Sequence, residues 1–215
     1  MIKFMYNISS TVLKGKRMRF LKEHSYDIVK LYVNQIGIAI FSSVLYTAVG
    51  SMGDAALIHS LNTAISIFSI LFYFVLVYNV AWEYGAKDKM RLDANRIQYI
   101  KAKGAKLSLV ASIPNVAISM ICVIFALVYK SQPLPFAAVI SGVANFFMRL
   151  TMSMYLGVIQ IFFGGFESVV DASFIGAAVA FAILPLLSVA VTHFGYEIGA
   201  RDYKLVYLFT RRDHK

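Results

Sequence analysis

Charge is missing from four long stretches of the chain. Leu31–Gly53, Ala55–Trp82, Leu107–Tyr129 and Ala172–Tyr196 contain no Asp, Glu, Lys or Arg, and the shortest has 23 residues. A helix needs about 20 apolar residues to cross about 30 Å of hydrocarbon, so each run predicts a membrane helix. Buried soluble helices are also apolar all round, but four such runs in 215 residues point to an apolar solvent. Ser131–Phe166 reads less simply, because its apolar run is broken at Arg149. It is either one long tilted helix or two short elements, Leu134–Met148 and Leu150–Phe166. The expected fold is an all-α integral membrane protein, a polytopic bundle of about six membrane helices with five as the alternative.

Polar and small residues inside the runs keep helical spacing. Gln35, Ala39, Ser42 and Tyr46 do so in the first run, and His59, Asn62, Ser66, Ser69 and Tyr73 in the second. Ser108, Ser112, Asn115, Ser119, Cys122 and Ala126 do so in the third. Steps of three and four place each set on one helix face. Pro114, beside Asn115, predicts a bend and a freed backbone carbonyl. Asn145 and Arg149 share a face if their helix is continuous. Gly176 and Ala180 form a small-xxx-small pair that suits a close helix crossing or a homo-oligomer contact. Pro185 interrupts the last run, and His193 lies near its end.

One short motif occurs twice. Ala-Trp-Glu-Tyr-Gly-Ala-Lys-Asp at Ala81–Asp88 returns as Gly-Tyr-Glu-Ile-Gly-Ala-Arg-Asp at Gly195–Asp202. Glu83, Gly85 and Asp88 thus answer to Glu197, Gly199 and Asp202. Extending the match back to Asp54 and Asp171 predicts an internal duplication of hairpins, 31–88 and 150–202, around a central helix 107–129. The plain reading is a membrane exit, with Trp82 and Tyr196 in the interfacial belt. Glu83 with Lys87 and Glu197 with Arg201 make i,i+4 pairs worth about 0.3–0.5 kcal/mol each. The glycines then cap a helix or allow a close crossing. Asp88 and Asp202 go beyond what an exit requires. The functional reading brings the two corners together as an acidic mouth.

Cations set the orientation. Seven precede Leu31, seven lie in Glu83–Lys106 and five follow Gly199, whereas Ser51–Asp54 and Phe166–Asp171 have none. The bias toward positive cytoplasmic segments places both termini and the main loop in the cytoplasm of a plasma (inner) membrane protein, and demands an even number of crossings. Residues 1–30 become a basic arm, 31–202 a single transmembrane domain and 203–215 a basic tail. Met1–Leu13 lacks the apolar core and cleavage site of a leader. The net charge of +10 and mean hydropathy of +0.69 favour the bilayer and anionic lipid headgroups as partners. No domain is left over to read nucleic acid. Cys122, the only cysteine, excludes an intrachain disulfide.

The chain has no H-E-x-x-H, G-x-S-x-G or phosphate-loop signature, and none of its four histidines pairs with another at ligand spacing. No cofactor and no metal are expected, and an intramembrane enzyme is the least supported class. Six intramembrane residues form a candidate polar path: His59, Asn62, Asn115, Asn145, Arg149 and His193. Such residues mark solute routes when they face a cavity and simple packing when they do not. They suggest a small transporter or permease subunit. In Glu83–Lys106, Met90, Ala94, Ile97 and Ile100 fall at helical spacing, with Arg91, Arg96, Lys101 and Lys103 elsewhere. This predicts a basic amphipathic helix that lies on headgroups or docks a cytosolic or membrane partner subunit. The alternative function is therefore an accessory or scaffold subunit.

Overall fold

The computed structural model describes residues 20–98, 100–164 and 172–201. Within them all regular structure is helical: α1 (Ser25–Gly50), α2 (Ala55–Asp93), α3 (Lys103–Ser131), α4 (Pro135–Thr151), α5 (Leu156–Phe163), α6 (Ala172–Ile183) and α7 (Leu187–Ala200). Single 3₁₀ turns, Ser153–Tyr155 and Leu184–Leu186, join α4 to α5 and α6 to α7. The expected features at residues 1–19, at Glu167 and Asp171, at Asp202 and in the tail with His214 lie outside the described residues.

Among the described residues, four helices are long and apolar enough to cross a membrane: α1, α2, α3 and the joined rod Ser173–Ala200. A fifth is reached only if α4 and α5, bent by 83° at their junction, count as one span. This corrects the expected six elements. α4 has 17 residues and α5 has 8, or about 25 and 12 Å, so neither crosses alone. The second hairpin, 150–202, does not form as a match to the first. Its leading arm is the short α5 where the first hairpin has the 26-residue α1.

Helix ends follow local chemistry. The Asp54 carboxylate accepts from the Ala56 and Leu57 amides and starts α2. Pro135 starts α4, where its missing N–H costs nothing. α2 continues past the apolar run to Asp93, and α3 begins at Lys103. The separate amphipathic helix expected in Glu83–Lys106 is therefore absent. Most of that segment extends α2 and α3, and only a short loop remains between them.

The bundle sets buried polar side chains within an otherwise apolar core, and its outer face is apolar as well. Ser42, Ser66, Ser69, Asn115, Ser119 and Ser141 are fully buried, while Phe68, Phe72, Ile113 and Phe146 face outward. An apolar outer face over buried small and polar residues suits a hydrocarbon solvent, where such residues pack helices together.

Contacts fix the directions. Tyr46 against Ser66 and Lys30 against Glu83 set α1 antiparallel to α2. Lys103 on Asp88 turns α3 back along α2, and Cys122 beside Ser141 turns α4 back along α3. Gly195 packs on Tyr78 and Ala81, and Gly199 on Trp82, so α7 runs parallel to α2. One end of the bundle, the turn end, thus gathers Ser51–Asp54, Ser131–Leu134 and the start of α6. The other, the loop end, gathers His24, the α2–α3 loop and Ala200.

The bent element starts and finishes toward the turn end. α4 descends from Pro135, and the Phe163 ring at the end of α5 lies against Gly176 near the start of α6. Its junction is deep. Ser153 Oγ donates to the Ala39 carbonyl and Ser66 Oγ to the Met154 carbonyl. Both anchors lie eleven residues from the turn ends of their helices, about 17 Å inward at the α-helical rise.

Candidate functional site

At the loop end, α2, α3 and α7 close on one carboxylate. Asp88 Oδ2 accepts from Lys103 Nζ at 2.7 Å and from the Tyr196 hydroxyl at 2.7 Å. The Asp88 and Lys103 side chains are 5% and 7% exposed, so the ion pair is almost fully withdrawn from solvent. Burying one such charge alone costs several kcal/mol, which explains why the acid takes two donors at once.

Glycines make this approach possible. A Cβ on Gly85 would strike the Tyr196 carbonyl, and one on Gly199 would strike the Trp82 carbonyl. Trp82 and Gly85 hold the motif positions that Tyr196 and Gly199 hold in the second copy. Each glycine therefore receives the residue at the aromatic position of the other copy. Gly104, next to Lys103, likewise has no room for a Cβ against Thr192 and Tyr196. Tyr196 is thus 2% exposed rather than in the interfacial belt, and Lys103 is a buried partner rather than a docking cation.

A column of buried polar groups leads inward from Asp88. Ser108 meets Ser188 at 3.3 Å, and Ser112 and Thr192 bond carbonyls within their own helices. The Tyr73 hydroxyl lies near the Ser188 side chain, and Tyr155 lies near Tyr73. The deep junction follows. Ser66 Oγ accepts from the Gly157 and Val158 amides at 2.8 and 3.2 Å, and Tyr46 sits 2.7 Å from the same oxygen. One serine thereby satisfies the first amides of α5 in the middle of the bundle.

Several groups along the column have no partner. Both amide atoms of Asn115, Gln35 Nε2, Ser69 Oγ, Ser119 Oγ and the Tyr155 hydroxyl are buried without a hydrogen bond. Each such group costs about 1–3 kcal/mol, and native interiors keep few of them.

The six path residues do not form one site. Asn115 lies at the centre, fully buried. Asn62 is half-buried, its carbonyl accepting from Tyr46 and packing on Gly157. His59 is exposed near the turn end, and His193 is half-buried on α7 with Nδ1 unpartnered. Asn145 and Arg149 pair with each other on α4, Nε to Oδ1 at 3.2 Å. Of the motif residues, Glu83 pairs with Lys87 at 2.6 Å and with Lys30 at 3.8 Å, and Glu197 is half-buried on α7. Among the described residues, Asp88 is the motif acid held in the interior, so no acidic mouth forms there. Arg91, Arg96 and Lys101 are exposed. Sequence reasoning missed Tyr196, Ser66 and Ser153 as site residues and gave Lys103 the role of a docking cation. The Lys-Gly pair at 103–104 and the serines at helical spacing were the signals at hand.

Among the described residues no group of three or more His, Cys, Asp or Glu is placed to hold a metal. A groove of about 460 Å³ lined by Ile40, Ser43, Val44, Thr47, Ala48 and Leu150 opens on the outer face of α1 and α4, away from the polar column.

Among the described residues, four or five helices of membrane-crossing length, packed around a core that holds a column of polar groups, define a candidate multi-pass helical membrane protein. Comparison with protein-family models, curated proteins and solved structures finds no match for this chain.

Proposed function

We propose that the chain is a small transporter or permease subunit whose route follows the buried polar column from Asp88 and Lys103 to the α4–α5 junction. In this reading α1, α2, α3 and the α6–α7 rod cross the membrane. Pro135–Phe163 dips in from the turn end and returns to it, and both termini share the cytoplasmic side with the loop end. Broken helices that end at mid-membrane are a recurrent element of solute pathways.

The observation that carries the reading is Asn115, fully buried with both amide atoms unpartnered. A packing residue gains nothing from an idle amide, whereas a passing solute can use one. The column is built of hydroxyls and amides, and its one ion pair is self-neutralised. It suits a small neutral solute with hydrogen-bonding groups. The interior is closed in this arrangement, so passage requires the bent element to move.

The test is solute entry into proteoliposomes, followed by light scattering with glycerol and urea as probes. The reading expects faster entry than into protein-free vesicles, and a return to that baseline in folded Asn115→Leu. Equal rates for wild type and protein-free vesicles with both probes contradict it. The alternative, an accessory subunit docking a partner through its basic loop, draws on the exposure of Arg91, Arg96 and Lys101.

A further inference from the structure

α2 ends in a cap that sets two arginines together. Asn95 turns into the left-handed region at φ 56°, a conformation asparagine tolerates. Its amide reaches the Leu92 carbonyl at 2.9 Å, and the Arg96 amide reaches the Arg91 carbonyl at 2.9 Å. This paired pattern is the Schellman cap, in which the residues corresponding to 91 and 96 come close and are frequently apolar. Here both are exposed arginines.

Among the described residues, neither arginine forms an ion pair, and the nearest acids along the helix are engaged by lysines. Asp88 is held by Lys103, Glu83 by Lys30 and Lys87, and the neighbouring Asp93 by Lys89 at 2.7 Å. The negative end of the helix dipole favours cations here, but it does not supply a counterion. Each arginine also has an exposed apolar neighbour: Met90, 65% exposed, precedes Arg91, and Ile97, 37% exposed, follows Arg96.

We propose that Arg91 and Arg96, with Lys101 from the same loop, bind the phosphodiester headgroup of an anionic phospholipid. Two guanidinium forks match phosphate oxygens in a way two ammonium groups do not. The pair lies just beyond the apolar outer face of a helix of membrane-crossing length, where lipid headgroups are the concentrated source of phosphate, which favours a lipid over free phosphate or an acidic protein. The proposal stands independently of the transport reading.

The experiment places the protein in phosphatidylcholine nanodiscs containing phosphatidylglycerol and counts retained phosphatidylglycerol by native mass spectrometry. Arg91→Gln/Arg96→Gln should weaken retention roughly 30-fold, the loss of two cations at a membrane surface. Lys22→Gln/Arg201→Gln, at the same bundle end but outside the cap, should retain most of it. Arg91→Lys/Arg96→Lys should fall between, because charge remains and the fork is lost. Unchanged retention in the glutamine pair, or an equal loss in the Lys22/Arg201 pair, overturns the site. Displacement by millimolar inorganic phosphate makes it a free-phosphate site and overturns the lipid assignment. An acidic protein that co-purifies with wild type and is lost with the glutamine pair, with lipid retention unaffected, overturns it as well. If the glutamine pair does not fold, the lysine pair decides: reduced retention supports the proposal and unchanged retention overturns it.

Discussion

Tyr196 donates its hydroxyl to Asp88 across 2.7 Å and so ties α7 to α2 where the two copies of one sequence motif cross in parallel. Lys103 completes the contact from α3. Asp88→Ala leaves a buried ammonium unpaired and should cost about 3–5 kcal/mol. Tyr196→Phe removes one hydrogen bond to a charge and should cost about 1.5–3 kcal/mol. Replacing the pair together, as Asp88→Leu/Lys103→Met, should recover most of the loss. Unfolding of purified protein in detergent reads all three. A double variant no more stable than Asp88→Ala would show that the ion pair is not what holds this end.

Glycine substitutions separate close approach from free space. Gly85→Ala and Gly199→Ala push a methyl into the facing backbone and should each cost about 1–3 kcal/mol. Gly37 and Gly142 have nothing within 4 Å of the added Cβ. Alanine there should be neutral or stabilising by about 0.5–1 kcal/mol. The same unfolding measurement applies, and a uniform response across the four positions would refute the crossing.

The α4–α5 junction depends on Ser66. Ser66→Ala strips the partner from the Val158 amide, at a cost of about 1–3 kcal/mol, and leaves the Gly157 amide only its longer bond to the Tyr46 hydroxyl at 3.2 Å. Hydrogen exchange at residues 157–158 should accelerate, while Ser43→Ala, which loses only a bond within α1, should leave it unchanged. Unaltered exchange in Ser66→Ala would mean that the junction is held otherwise.

The inner faces of α2 and α3 were legible in the sequence, whereas a break was offered only as one alternative, at Arg149, and the bend lies at Met152–Tyr155. Ser66, Ser69 and Tyr73, or Ser108 to Ala126, announce their face by spacing, because polar groups in an apolar solvent can turn only inward. Met152–Tyr155 carries no Gly, Pro or charge to mark a break. Its bend is stabilised by Ala39 and Ser66, which lie 114 and 88 positions away along the chain. Lys103 stayed hidden for a related reason. It belongs to a run of exposed cations, and only the fold brings Asp88 to it. The motif echo was visible, but that its copies cross in parallel depends on the direction of α6 and α7.

Acid should loosen the loop end through His24. Burial, and next the Lys103 charge, lower its pKa below the ordinary 6.5, against the opposing pull of Asp27, Asp88 and Glu23. The unfolded chain therefore takes up the proton first as pH falls. The stability of this end is full above about 6.5, declines as pH drops below it, and levels off below the depressed folded value. His24→Gln should flatten the profile between pH 7.5 and 5. A variant that keeps the wild-type slope would assign it to other groups.

The proposed route requires Pro135–Phe163 to enter and leave by the turn end, with four crossings around it. Single cysteines in a Cys122→Ser background, labelled from one side of sealed vesicles by an impermeant maleimide, test this most directly. Ser51, Ser131 and Gly164 should label together from one side, and Lys22, Arg96 and Arg201 together from the other. Labelling of Gly164 or Arg201 with the opposite group would contradict the account.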